Sequence, residues 1–369
     1  MRNTILSSVL LLAAFRVAAA DGCSADAFDA HAAAGPTHGA IVVTLRTREG
    51  EDTRVLAGAA GDPGLSGHEG FRIASVTKTY VAATVLRLWE TGRLDLDAPV
   101  TSWLRDDWRD RLQADGYVPE RISVRQLLSH TAGLADHAQT PSFLADIQAR
   151  RGAGWSRDRA LRHLVATTDP VAAPGERYAY SDTGYVLLGA LVEQVTGQPL
   201  ATAVRAQLDF DRLGLRHTWW EQMEPDGPAG RVHQVFEGID THDWDPSMDL
   251  FGGGGLVAST ADMAAFFAAL LEGRVFERPQ TLAAMRSVEG LPADSPYRLG
   301  LLAYDVDGVA ALGHSGFWGT LVMHVPASGD TVAGGVLDRA DMPRLKSLVE
   351  ALTRCGAGDD ASRRAGSGT

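Results

Sequence analysis

A chain of 369 residues with 45% hydrophobic content is long enough to bury one large core or two lobes, which sets disorder aside as its main state. Its formal net charge of -12, with no compensating basic run, argues against nucleic acid or anionic membrane as a partner. A small-molecule or peptide substrate fits that balance better.

Residues 1–20 carry Arg2, an apolar run from Ile5 to Ala14, and Ala18-Ala19-Ala20 before Asp21, the pattern of a secretory signal peptide. The run is too short to span a bilayer and stay there, so an exported chain, periplasmic or secreted, with no stable membrane span is expected. Lipoprotein anchoring through Cys23 is disfavoured, because Ala20 and Asp21 stand where such sites carry small and branched apolar residues. The two cysteines, Cys23 and Cys355, lie near opposite ends of the mature chain. A disulfide joining the termini and two unrelated thiols both remain open.

Segments 38–46 and 54–61 flank polar residues around Glu49 to Asp52 and predict a β-hairpin. The stretch from Phe71 to Gly92 follows. After Ser75 it holds good helix formers, mostly apolar, and it ends at a glycine suited to a left-handed cap, which predicts a largely buried helix from about Ser75 to Thr91. Positions three apart share a helix face, so Ser75 and Lys78 fall within hydrogen-bond reach. Of 34 basic residues only Lys78 and Lys346 are lysines. In so arginine-biased a chain, a site needing only positive charge would carry arginine, whereas lysine can lose its proton. Lys78 therefore reads as a group that becomes neutral, a shift from about 10.4 to near 7 worth roughly 4 kcal/mol, within reach of burial. A serine beside such an amine is a nucleophile beside a base.

From Arg93 to about Leu271 helical patterns and long loops predominate. Ser123 and Gln126 have capping-box spacing, and Ser129-His130 reads as a helix-ending loop rather than a hydrolase pair. Tyr180-Ser181-Asp182-Thr183 precedes an apolar run closed by Gly197, which places Tyr180 at the mouth of a helix amino terminus, where the macrodipole favours a phenolate. The run from Phe251 through four glycines to Leu256 lacks the spacing and the lysine of a phosphate cradle, and reads as a loop where backbone passes close to another group. Ser259 to Asp262 has capping-box spacing and opens another helix. Strand-like runs at 298–305, 310–317, 320–325 and 331–337 come next, then a closing helix from Met342 to Arg354 and a tail expected to be disordered. His130, His137, His233 and His242 lack metal-ligand spacing, so no metal or cofactor is expected, and the chain is expected to act as a monomer.

Ser75-x-x-Lys78, Tyr180-Ser181-Asp182 and His314-Ser315-Gly316, in that order, resemble the three motifs of the serine β-lactamase and penicillin-binding D-alanyl-D-alanine carboxypeptidase superfamily. The resemblance is greatest to the branch of class C β-lactamases, D-aminopeptidases and related esterases. The phrases Leu127 to Leu134, Pro174 to Tyr185 and Gly254 to Ser259 extend it from about Gly39 to Arg354. It implies a mixed α/β (α+β) fold, with an antiparallel sheet flanked by helices over about 36–98 and 272–356. A mainly helical lobe over about 99–271 is inserted between them, with the signal peptide at 1–20 and the disordered tail at 357–369. It implies that Ser75 forms an acyl-enzyme while Lys78 and Tyr180 share its proton. Backbone N–H groups of Ser75 and Phe317 would form the oxyanion hole, and Asp182, His314, Ser315 and Gly316 would bind substrate.

The sequence departs from that pattern twice. Asp182 replaces the asparagine of Tyr-x-Asn and removes an amide donor. His314 replaces a lysine, leaving a cation that fades above about pH 6.5. Both changes favour a carboxypeptidase- or esterase-like serine acyl hydrolase over a dedicated β-lactamase. The alternative is a penicillin-binding or sensor-type protein that acylates without efficient turnover. An α/β-hydrolase would need G-x-S-x-G, which Gly313 to Phe317 misses.

Overall fold

The two ends of the chain meet in one antiparallel sheet. Its spatial order is Glu51–Leu56, Ile41–Arg46, Thr331–Val336, Thr320–His324, Val309–Gly316 and Leu302–Val306. The computed structural model describes residues 22–61 and 63–366, so the leader expected at 1–20 lies outside the described residues. Ile41 pairs with Val336 and Arg46 with Thr331, which sets the amino-terminal hairpin against the last strand. Successive side chains of a strand point to opposite faces, and here both faces are covered. Val42 joins the core containing Phe266 and Phe267, while Ile41 and Val43 join the one containing Phe28, Leu345 and Leu348. The hairpin turn is tighter than expected, at Thr47 to Gly50. Glu51 and Asp52 belong to the outer strand, where they pair with Arg46 and Arg54. Such charges suit an exposed sheet edge.

Helix Thr260–Leu271, which a lobe boundary at residue 271 assigns to the helical part, packs on the sheet instead. It is apolar almost all round and must be covered on every side. The strands cover one side and the Tyr80 ring, stacked 3.6 Å from that of Phe266, covers another. Its start is half a capping box: the Ser259 hydroxyl accepts from Asp262 N–H, but the Asp262 carboxylate turns to His217 N–H and the Thr218 hydroxyl. At Ser123 and Gln126 both halves form.

The central helix is Thr77–Glu90, closed by Gly92 in the left-handed conformation. Val81, Val85, Leu86 and Leu88 are fully buried on it, each worth about 2 kcal/mol. It packs against helices Asp182–Thr196 and Leu200–Leu208, so its first turn lies where the sheet meets the helices. Three short strands, Phe71–Arg72, Leu256–Ala258 and Thr218–Trp220, lead the chain into that turn. Helix Gly22–Ala33 lies against the closing helix, and Cys23 and Cys355 are joined by a disulfide spanning 332 residues. The closing helix runs from Met342 to Gly366, past the expected end at Arg354 and into the segment read as a disordered tail.

Candidate active site

Ser75 sits on a 3-10 turn, Ala74–Val76, that runs directly into the central helix. Residues three apart eclipse in such a turn, and Lys78 Nζ lies 2.9 Å from Ser75 Oγ. Ala74 has φ of 43°, a left-handed conformation that costs a residue with a Cβ about 1 kcal/mol or more. The surroundings enforce it. Ile73 N–H donates to Leu256 O at 3.1 Å, and the Thr320 hydroxyl donates to Ile73 O at 3.2 Å. Buried Arg72 forks onto Glu221 through two 2.8 Å hydrogen bonds. The buried Gln234 amide accepts from Arg72 N–H at 2.8 Å and donates to Trp318 O at 3.0 Å, tying the strand ahead of Ser75 to the turn after Gly316. Sequence reasoning missed Arg72, Glu221 and Gln234, because Arg72 finds these partners 149 and 162 residues away and no local pattern marks them.

Lys78 is fully buried. Besides Ser75 Oγ it donates to Gly253 O at 2.7 Å, and it forms an ion pair with Asp182. Gly253 belongs to the glycine run, which does pass close to another group. At the next position a Cβ on Gly254 would lie 2.1 Å from the Asp249 carboxylate. Burial pulls the lysine pKa down, as expected, but Asp182 and then Tyr180 more than reverse it and hold the ammonium above the ordinary lysine range. The expectation of an amine neutralised by burial is corrected accordingly: the opposing carboxylate decides the balance.

Tyr180 precedes helix Asp182–Thr196, whose N-cap Ser181 accepts from Gly184 N–H. Tyr180 lines the same cavity as Ser75, and the Lys78 ammonium lies 5.0 Å from its ring centroid. Burial pushes its pKa well up and the nearby ammonium offsets that only in part, so the expected phenolate is corrected to a neutral phenol near neutral pH. The helix dipole acts on Asp182, in the first turn, rather than on the phenol outside it. His130, in a left-handed backbone conformation, accepts from Ser181 N–H at 3.1 Å and lays its ring 4.2 Å from that of Tyr180. Ser129 is turned away, donating to Arg125 O, as a loop residue would. His130 itself supports the tyrosine.

Strand Val309–Gly316 is second from the edge of the sheet. Its pairing with Leu302–Val306 ends at Leu302 and Gly313, however, so His314, Ser315 and Gly316 overrun the neighbour and face the cavity. His314 is buried, accepts from the Tyr297 hydroxyl at Nε2 (2.8 Å) and donates from Nδ1 to Ser315 O (2.8 Å). Burial and the Lys78 charge push its pKa down to about 3, so the expected cation fading above pH 6.5 is corrected to an imidazole neutral across the physiological range. Gly316 lies against the strand leading to Ser75: a Cβ there would sit 2.2 Å from Ile73 O. Phe317 follows at the rim with Arg339, whose Nε donates to Phe317 O at 2.6 Å.

Ser75, Tyr180, Asp182, His314, Ser315, Gly316 and Phe317 all line one cavity of about 860 Å³. Its far wall is apolar, built from Phe143, Leu144, Ile147, Trp155, Met248 and Phe251. Asp136 and Asp249 lie near Asp182, and burial followed by the Asp182 charge pushes each up to about 7. Such a site can deliver an alcohol to a carbonyl and bury a bulky apolar substituent beside it.

The fold and this sequence together define a class, the serine hydrolases of the β-lactamase fold. The sequence matches the family described as beta-lactamase over residues 26–342, and the chain belongs to that family. Among individual proteins it is 34% identical over 286 residues to the esterase EstB of Burkholderia gladioli, covering 68% of this chain and 70% of that one. A putative D-alanyl-D-alanine carboxypeptidase of Escherichia coli O157:H7 is 33% identical over 153 residues, 40% of this chain and 33% of that protein. Among solved structures, a D-stereospecific amidohydrolase from Streptomyces sp. superposes with a TM-score of 0.74 at 28% identity, over 89% of this chain and 97% of that one. An octameric penicillin-binding protein homologue from Pyrococcus abyssi, at 20% identity and a TM-score of 0.72 over 90% of this chain and 77% of that one, shares the fold.

Proposed function

We propose that the chain is an exported serine acyl hydrolase in which Ser75 attacks an ester, amide or lactam carbonyl and forms an acyl-enzyme. The observation that carries this reading is the buried Lys78 amine 2.9 Å from Ser75 Oγ, with the Tyr180 ring 5.0 Å from that amine and lining the same cavity as the serine. Backbone N–H groups of Ser75 and Phe317 would hold the oxyanion, where one donor is worth roughly 3 kcal/mol. Substrate preference follows from the third motif and the cavity wall. Neutral His314 offers no cation to a carboxylate, and six apolar side chains offer a dry surface. Esters and amides bearing a bulky apolar group are the substrates that fit, in preference to β-lactams as dedicated substrates.

Intact-protein mass spectrometry after incubation with p-nitrophenyl butyrate or a penicillin tests this. An adduct on Ser75, lost in Ser75→Ala, is expected; a folded wild-type protein that takes no adduct from several such probes would defeat the proposal. One observation favours a trapping or sensor role as the second reading. Lys78 is ion-paired with the Asp182 carboxylate, and an amine held in such a pair is a poor base. A long-lived adduct without steady-state product would select that reading.

A further inference from the structure

Three acceptors surround the Lys78 amine: Ser75 Oγ, Gly253 O and the Asp182 carboxylate. An ammonium has three N–H donors and no lone pair, so two hydrogen bonds and an ion pair to a carboxylate suit its charged form. The carboxylate comes from Asp182, where the resembling motif carries an amide. An asparagine there could supply an acceptor but no negative charge. We propose that Asp182 is a positioning residue that pins Lys78 as a permanent ammonium and leaves the Tyr180 oxygen to accept the Ser75 proton, thereby setting the pH at which the serine is acylated. The proposal rests on Ser75 being the nucleophile.

The proton balance follows. The bond from Ser75 Oγ to the carbonyl carbon forms as the serine proton passes to an ionised Tyr180 oxygen. The same proton then goes to the leaving oxygen or nitrogen as its bond to carbon breaks. Lys78 keeps its three protons throughout. Asp182 opposes the first step in two ways: its charge disfavours a second anion nearby, and it neutralises the cation that would stabilise one. The groups facing it from each neighbouring element are Lys78 on the central helix, Tyr180 before its own helix, Asp136 and His137 on one loop, Asp249 on another, and His314 on its strand. Burial leaves His137 and His314 neutral above about pH 4, as it does His130, whose ring lies 4.2 Å from that of Tyr180, and Asp136 and Asp249 gain protons as pH falls through about 7, so Lys78 remains the cation of the group down to about pH 4.

Asp182→Asn leaves the ammonium unopposed beside the phenol. The acidic limb of kcat/KM for p-nitrophenyl butyrate should move down by about 1–3 pH units, with a rate gain of about tenfold per unit on the rising limb. A folded variant whose limb does not move would overturn the proposal. A second measurement does not depend on the variant folding. The chain has only two lysines, and Lys346 is exposed, so ε-13C-lysine labelling gives two resonances, one of them an internal reference. The Lys78 resonance of the wild type should stay that of an ammonium from about pH 6 to pH 10. Titration within the range where the enzyme is active would sink the idea. Activity surviving in Ser75→Ala would instead show that the nucleophile reading had failed, while the lysine titration still reports on Asp182.

Discussion

Replacing Gly316 by alanine tests whether the end of strand Val309–Gly316 must lie flush against the segment that carries Ser75. The added Cβ would meet Ile73 O at 2.2 Å and the Thr320 hydroxyl at 2.3 Å, whereas real Cβ contacts stay at 3.0 Å or more. The difference, 3.0 − 2.2 = 0.8 Å, must come from backbone movement, because a carbonyl oxygen cannot swing aside as a side-chain tip can. That displacement would separate Phe317 N–H from Ser75, the two proposed oxyanion donors. A misplacement of about 1 Å costs on the order of 10²-fold in rate, or about 2.7 kcal/mol of transition-state stabilisation. Overpacking should cost about 1–3 kcal/mol of stability as well, so the variant stays folded at room temperature. Steady-state hydrolysis of p-nitrophenyl butyrate, with a melting curve on the same sample, separates the two effects. A folded Gly316→Ala enzyme within threefold of wild-type kcat would refute the reasoning.

Gln234→Glu keeps the acceptor for Arg72 N–H but sets a carboxylate oxygen against Trp318 O, so kcat should fall by about tenfold with KM little changed, at a stability cost of about 1–3 kcal/mol. Unaltered kcat would show that this strut does not align the site. Asp249 has its pKa raised to about 7 in the folded chain, so it costs stability above that pH, and the cost fades as pH falls from about 7 towards the ordinary carboxyl value. Asp249→Asn should therefore be more stable than wild type at pH 8, by up to about 4 kcal/mol, with the gap shrinking below pH 7 and closing near pH 4; a gap independent of pH would contradict the shift. Removing the disulfide by Cys23→Ser should lower stability by up to about 6 kcal/mol, the chain-entropy value for a 332-residue span, read as an earlier denaturant midpoint. Equal midpoints for the variant and the oxidised wild type would mean that the link adds nothing.

Much of the site was visible in short-range patterns. The central helix, its glycine stop and the Ser75-to-Lys78 spacing depend on neighbours one turn away, and so does the capping box at Ser123. The glycine run announced a close approach, although not that Lys78 was the group approached. Charge states were misread for a physical reason. Burial alone predicts a neutral Lys78, and the helix dipole alone predicts an ionised Tyr180, but each pKa is the sum of opposing influences dominated by whatever folding brings nearest. Asp182 supplied the missing influence on Lys78. Tyr297 and the carbonyl of Ser315 occupied the nitrogens of His314 that sequence had assigned to substrate.

What the sequence determined by itself was the set of chemical parts and their order: an alcohol and an amine one turn apart, a phenol before a helix, and a glycine where backbones touch. Spacing along the chain dictates these, because helix and turn geometry acts over three or four residues. Only the tertiary structure decided which proton each part holds and which side chains, Gln234 and Arg72 among them, keep the parts aligned. Those properties arise between residues far apart in sequence, inside a low-dielectric interior where the groups facing an amine, Asp182 first among them, together outweigh its burial.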